Sequence, residues 1–351
     1  MRAVGEPSGR MSGPLDRRVS VAPMMAYTDR HFRYLLRLVS PATLLYTEMI
    51  TAQAVAHRGP ARLLAYDPSE HPIALQLGGS EPRLLAAAAR SGAELGYDEV
   101  NLNVGCPSER VQSGAFGACL MAEPELVADC LSAIREAAPG VVVTVKCRIG
   151  IDDRDDYGFF ERFVTTAARS GVRIFIVHAR KAYLSGLSPR QNREIPPLRY
   201  EVPQRLKLER PDLTVVLNGG LRSVAQALEW LPHFDGIMFG RQVCEHPWLL
   251  ADLDVALGRT AAAPARAHVV ARYADYVDRR LSEGDRPASL LRHAQTLFAG
   301  FAGARSWRRL ISERIARGDA DGDLLRAALP ALQAVPVAGT QQAGVPARTG
   351  T

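Results

Sequence analysis

Eight short apolar runs recur along the chain, each bounded by polar or turn residues. They are Val19–Ala22, Leu44–Tyr46, Ile73–Leu77, Val100–Asn103, Val141–Val145, Ile174–Val177, Val215–Leu217 and Gly236–Phe239. Stretches long enough for a crossover helix separate them, among them Glu81–Ser91, Glu123–Ala138, Tyr157–Ser170 and Ser223–Leu231. Pro82 and Pro124 fall in a first helical turn, where no backbone donor is needed. Strand alternating with helix predicts a parallel sheet. Eight such units in about 235 residues predict an α/β fold, a closed (β/α)8 TIM barrel.

After Gly258 the strand pattern stops and helical periodicity takes over, at Ala267–Leu281, Leu290–Phe298, Ser306–Ile315 and Asp323–Leu329. The expected organisation is therefore a flexible N-terminal tail over 1–15, a barrel over 16–258, a small all-helical C-terminal domain over 259–334, and a disordered tail over 335–351.

The chain has 351 residues, 47% of them hydrophobic and 23% charged, enough for one large core and a smaller one. No apolar run reaches the roughly 18 residues of a membrane span. The first twenty residues carry Arg2, Arg10, Arg17 and Arg18 but no hydrophobic signal segment, so a cytoplasmic protein is expected. Cys106, Cys119, Cys130, Cys147 and Cys244 are odd in number and lack close C-x-x-C spacing, which predicts reduced thiols and no metal. The net charge is +6 and uneven: residues 259–326 hold 13 Arg against 8 acids. Arg presents planar donors suited to phosphate, so this part could grip a polyanion. A merely arginine-rich composition would give the same excess.

The run from Asn101 to Met121, NLNVGCPSERVQSGAFGACLM, carries the most chemistry. It opens as a strand, breaks at Gly105, and Pro107 stops it from continuing. Cys106 is thereby delivered to the mouth of whatever the strand supports. Asn101 and Asn103 are costly in a buried strand unless they hydrogen-bond. A small buried hydrophobe remains the plainer role for a free Cys.

Nearly every strand exit ends on a polar group: Glu48, Gln76, Asn103, Lys146, His178, Asn218 and Arg241, with Pro23 and Met24 after the first. In a barrel these exits converge on the catalytic face. Asn218, Gly219 and Gly220 after the seventh strand, with Gly240 and Arg241 after the eighth, form a candidate phosphate cradle. Pro23, Met24 and Met25 offer apolar backing for a flat ring. Gln76 can exchange hydrogen bonds with a ring carbonyl and imide, and Lys146 can hold negative charge on a reduced ring. That set suits flavin mononucleotide (FMN). A structural Lys146 paired with an acid is the alternative. Reduction of a pyrimidine C5–C6 bond needs a hydride on one carbon and a proton on the other, and Cys106 could donate the proton as a thiol. His178 could bond cofactor or substrate. The other four cysteines read as packing residues.

With these residues in place, the chain resembles the bacterial tRNA-dihydrouridine synthases, most of all the A subfamily. The matching stretches are SVAPMMAYTDRHFRYLLR (20–37), LLYTEM (44–49), HPIALQLGG (71–79), YDEVNLNVGCPSERVQSGAFGACLM (97–121), VTVKCRIGIDD (143–153), HARKAYLSGLSPRQNREIPPL (178–198), LNGG (217–220), the Gly240-Arg241 pair and FAGARSWRR (301–309). The resemblance implies reduction of uridine to 5,6-dihydrouridine at positions 20 and 20a of the tRNA D-loop, with FMN as cofactor and NADPH as reductant. It implies Cys106 as proton donor. It implies Pro23, Met24, Met25, Gln76, Lys146, His178, Asn218, Gly219, Gly220, Gly240 and Arg241 at the flavin. It implies Asn103 near the target uridine, and Arg190, Arg193, Arg305 and Arg308 as tRNA contacts. The partner is tRNA; no membrane or protein partner is implied, and a monomer is expected. Where the family often has Asp-Trp, this chain has Ala26-Tyr27, and it has Tyr183 where the family often has Trp. Two rival readings are a flavin barrel acting on free bases, as dihydroorotate and dihydropyrimidine dehydrogenases do, and a catalytically silent tRNA-binding barrel.

Overall fold

The computed structural model describes residues 15–112 and 114–333; the expected tails, Leu15 apart and 334 being the last residue of the expected helical domain, lie outside the described residues. All eight apolar runs form strands. They are β1 (Val19–Val21), β2 (Leu44–Tyr46), then β4 (Ile73–Gly78), β5 (Glu99–Val104), β6 (Val142–Arg148), β7 (Ile174–His178), β8 (Thr214–Asn218) and β9 (Gly236–Phe239). A two-residue strand, β3 (Ile50–Thr51), was not expected. Every pairing is parallel, and β1–β9 together with β2–β4 closes the ring into a (β/α)8 barrel.

The β3 strand prolongs β2 past a bulge. Tyr46 pairs with Ala74 and Ile50 with Leu77, four steps on one strand (46 to 50) against three on the other (74 to 77). An extra residue of this kind re-aims the side chains beside it. Here it brings Glu48 to the Ala26 N–H, which it accepts. Several crossover helices are capped or opened by proline at their starts. Asp156 accepts from Phe159 N and Ser223 from Gln226 N, while Pro82 and Pro124 stand at helix starts.

The barrel interior is divided. One wall is apolar, with Ala22, Leu44, Tyr46, Ala74, Ile176, Val216 and Met238 packed together and Met24 above them. The other wall, from β4 to β6, carries Gln76, Glu99, Asn101, Asn103 and Thr144, all buried. At the floor, Glu99 pairs with Arg17 and accepts from Tyr46 Oη and Thr144 Oγ1, each at 2.5 Å.

The contacts divide the chain after Pro264. Arg259, counted above with the helical segment, is bonded within the first unit to Asp254 and to Thr43 Oγ1. The second unit is helical: Arg266–Ser282, Pro287–Leu291, Ala304–Arg317 and Gly322–Gln333. The expected helix at Leu290–Phe298 instead tightens into a 3-10 turn over Arg292–Thr296. There the buried Trp307 indole donates to Ala294 O at 2.8 Å and packs edge-on against Phe298.

Gly236 begins β9 where the chain has no room for a side chain. A Cβ there would stand 1.9 Å from the backbone oxygen of Arg17. Gly236→Ala must therefore push β9 from the segment that opens β1. The expected loss is about 3 kcal/mol of unfolding free energy, measured by urea denaturation.

Candidate active site

Cys106 follows β5 by two residues and is half-buried, its Sγ 3.6 Å from Ser108 Oγ. Its turn is held from several sides. Asn103 Oδ1 accepts from the N–H groups of Gly105 and Cys106, each at 3.0 Å. Cys106 O accepts from Ala118 N at 2.9 Å, and a Cβ on Gly117 (φ +80°) would come within 2.6 Å of that same oxygen. Gln112 Nε2 donates to Pro107 O and to Leu184 O, tying the thiol loop to the loop after β7.

Arg148 was not foreseen, and it joins these loops. Its Nε donates to Gly105 O (2.8 Å), and its NH1 to Lys181 O (2.8 Å) and Asn192 O (3.0 Å). The available signal was alternation along β6, which puts Lys146 and Arg148 two residues apart on one face. Lys146 Nζ donates to Asn218 Oδ1 at 3.0 Å, while Asn218 Nδ2 donates to Met238 O. Among the described residues no carboxylate pairs with Lys146, the partner that the structural-lysine alternative requires. Burial, with Arg148 adding to it, lowers Lys146 to about 8. Burial first, then Arg148, Lys146, Arg180 and Arg193, pushes His178 well below its ordinary value, so the ring is neutral near pH 7.

The glycine pair after β8 is shaped for close approach. Gly219 and Gly220 have φ of +113° and +72°, and a Cβ on Gly219 would meet the His178 ring at 2.7 Å. A Cβ on Gly240 would project into open space. Arg241 donates to Glu194 Oε1 at 2.8 Å, and Arg190 stands 3.5 Å from that carboxylate. Arg193 is near enough to Arg241 for the two like charges to bear on each other. Pro23 and Met24 are half-buried, while Met25 is 59% and Tyr27 50% exposed. Ala26 holds φ +64°, a strained value for a residue with a side chain.

The residues expected at the barrel mouth thus gather there, while Arg305 and Arg308 lie in the helical unit, exposed on one helix and three residues apart. No ion pair among the described residues engages either of them. Gln76 is more committed than expected. Its Nε2 donates to Asn101 and its Oε1 accepts from Asn103, which leaves one N–H and one lone pair for a ring.

This donor set fits FMN. An anion-shaped glycine cradle, a half-buried ammonium with no carboxylate partner among the described residues and a neutral imidazole share one mouth. The dihydrouridine synthase family model matches residues 20–333. The chain belongs to the dihydrouridine synthase family. Among similar family members, the tRNA-dihydrouridine(20/20a) synthase of Synechocystis sp. is 52% identical over 314 residues, 89% of this chain and 94% of the relative. The enzymes of that name from Shewanella oneidensis and Xanthomonas axonopodis are 49% and 51% identical, covering 95% and 93% of those proteins. A structure of morphinone reductase in complex with tetrahydroNAD shares the fold, with a TM-score of 0.50 and 13% identity over 74% of this chain and 91% of the other.

The family's barrel mouth here holds a cation at a cost to folding. A lysine lowered on folding binds fewer protons folded than unfolded between about 8 and its ordinary 10.5. Stability of the flavin-free protein should therefore rise as pH climbs through that window. Lys146→Met should remove the rise and stabilise the flavin-free protein by on the order of 2 kcal/mol at pH 7. It should weaken FMN binding at least about tenfold. Thermal melts across pH and flavin fluorescence titration read these effects.

Proposed function

We propose that this chain reduces uridine to 5,6-dihydrouridine in the tRNA D-loop, at positions 20 and 20a as in the names of its relatives. The observation that carries the reading is Cys106 held at the mouth of the barrel beside an uncompensated Lys146. In this reading Pro23, Met24, Met25, Gln76, Lys146 and His178 would hold the FMN ring, with Asn218, Gly219, Gly220, Gly240 and Arg241 around its phosphate-bearing end. Bound FMN would supply hydride to the base and be re-reduced by NADPH.

The protein's own residues do the rest. Cys106 Sγ gives its proton to the pyrimidine carbon opposite the one that takes hydride. Asn103, bound to the backbone of that same turn, offers an N–H to the entering base. Arg193 and Arg190 stand beside the mouth as phosphate donors, and Arg241 shares Glu194 with Arg190. Exposed Met25 and Tyr27 give an unstacked base or its neighbour an apolar surface. Swinging a nucleotide out of a folded loop costs a few kcal/mol, which phosphate contacts from Arg305 and Arg308 help to offset. Affinity should therefore fall as salt rises.

The deciding experiment maps dihydrouridine in tRNA from a strain lacking this gene and again after its restoration. Loss and return of the modification at 20 and 20a is expected; an unchanged map refutes the reading. Cys106→Ala should stay yellow and bind tRNA normally, yet lose most turnover, at least about a hundredfold. Full product formation would remove the thiol from the reaction. Arg305→Ala with Arg308→Ala should weaken tRNA binding about tenfold and leave flavin reduction by NADPH intact, checked by filter binding and stopped-flow absorbance.

A further inference from the structure

Three amides, Asn101, Gln76 and Asn103, line the polar wall of the barrel in a hydrogen-bonded row. An amide has the same shape either way round and differs only in which end donates. Both ends of this row are fixed. At the mouth, Asn103 Oδ1 receives two backbone N–H groups, so its Nδ2 must turn to Gln76 Oε1 (2.9 Å). Gln76 Nε2 must then turn to Asn101 Oδ1 (2.8 Å), and Asn101 Nδ2 to Thr144 Oγ1 (2.8 Å). The Thr144 hydroxyl, having accepted, donates to Glu99 Oε1 at 2.5 Å. Glu99 is the acceptor that ends the row, paired with Arg17. Turning any one amide round would set donor against donor at one side and acceptor against acceptor at the other. Each such reversal would leave buried donors and acceptors without partners.

We propose that Thr144 and Asn101 are positioning residues for Cys106, acting through this row from the barrel floor. Neither touches the thiol. Thr144 fixes which way round Asn101 stands, Asn101 fixes Gln76, and Gln76 fixes Asn103 with its oxygen on the backbone of residues 105 and 106. Losing the hydroxyl at 144 leaves Asn101 Nδ2 without its acceptor, so the row is held from the mouth alone and the turn that presents the thiol loosens. The assignment of a reaction to that thiol rests on the function proposed above; the mechanical link does not.

The test compares Thr144→Val, Thr144→Ser and Tyr46→Phe in the full chain. Tyr46→Phe also removes one buried donor from Glu99 but leaves the row intact, so it controls for general softening of the barrel. Backbone hydrogen exchange at residues 105–106 should quicken about tenfold in Thr144→Val and stay unchanged in Tyr46→Phe. Single-turnover reduction of tRNA uridine should fall about tenfold in Thr144→Val, with tRNA affinity unchanged. Thr144→Ser should restore both. Thr144→Ala gives the same comparison if the valine variant does not accumulate. Unchanged exchange in Thr144→Val, or equal exchange in Tyr46→Phe, overturns the proposal. If the unaltered protein leaves tRNA unmodified, the proposed function fails while the exchange pattern still decides the link.

Discussion

A barrel packed with side chains has no water to spare, so every polar atom it encloses needs a partner from within. Glu99 sets this constraint. It is buried at the floor with Arg17 as its counter-charge, and it draws donors from Tyr46 and Thr144. Partnering continues upward along β4 to β6 until backbone N–H groups at the mouth close it. The thiol turn is thereby held by the same bonds that satisfy the interior. Scaffold and site are one hydrogen-bonded object on this side of the molecule.

Above that floor the balance of charge is deliberately incomplete. Lys146, Arg148, Arg180 and Arg193 all bear on His178, while the Glu194 carboxylate is drawn to Arg241 and Arg190. Arg148 is supported by three backbone carbonyls, whereas among the described residues Lys146 has only the neutral oxygen of Asn218. A neutral His178 in such company can donate and accept without adding to the repulsion. The mouth suits an anion with a flat polar edge, which would offset the cost of the gathered cations.

Much of this was legible in the sequence because strands and helices announce themselves locally. The eight apolar runs mark the eight staves within three residues, and Pro82 and Pro124 mark helix starts. The strand exits placed Gln76, Asn103, Lys146, His178 and Asn218 on one face because parallel strands of a barrel share a direction. The cost of burying Asn101 and Asn103 was visible, but not what repays it, because Thr144 and Gln76 are distant in sequence. The same distance hid Arg148, whose acceptors lie on the loops after β5 and β7, and the Glu194–Arg241 pair. β3 escaped notice because two residues carry no periodicity. The helix expected at Leu290–Phe298 misled because a pattern shows which face is apolar, not how tightly the turn is wound.

The divided lining of the barrel has a consequence for how such a chain can drift. On the apolar wall, Leu44, Ile176, Val216 and Met238 are interchangeable within limits of volume, so substitutions there can accumulate one at a time. On the opposite wall a lone exchange strands a neighbour, and a viable replacement requires coordinated changes at several codons. One half of the cylinder is therefore free to wander through sequence space in small steps, while the other is held still by mutual dependence.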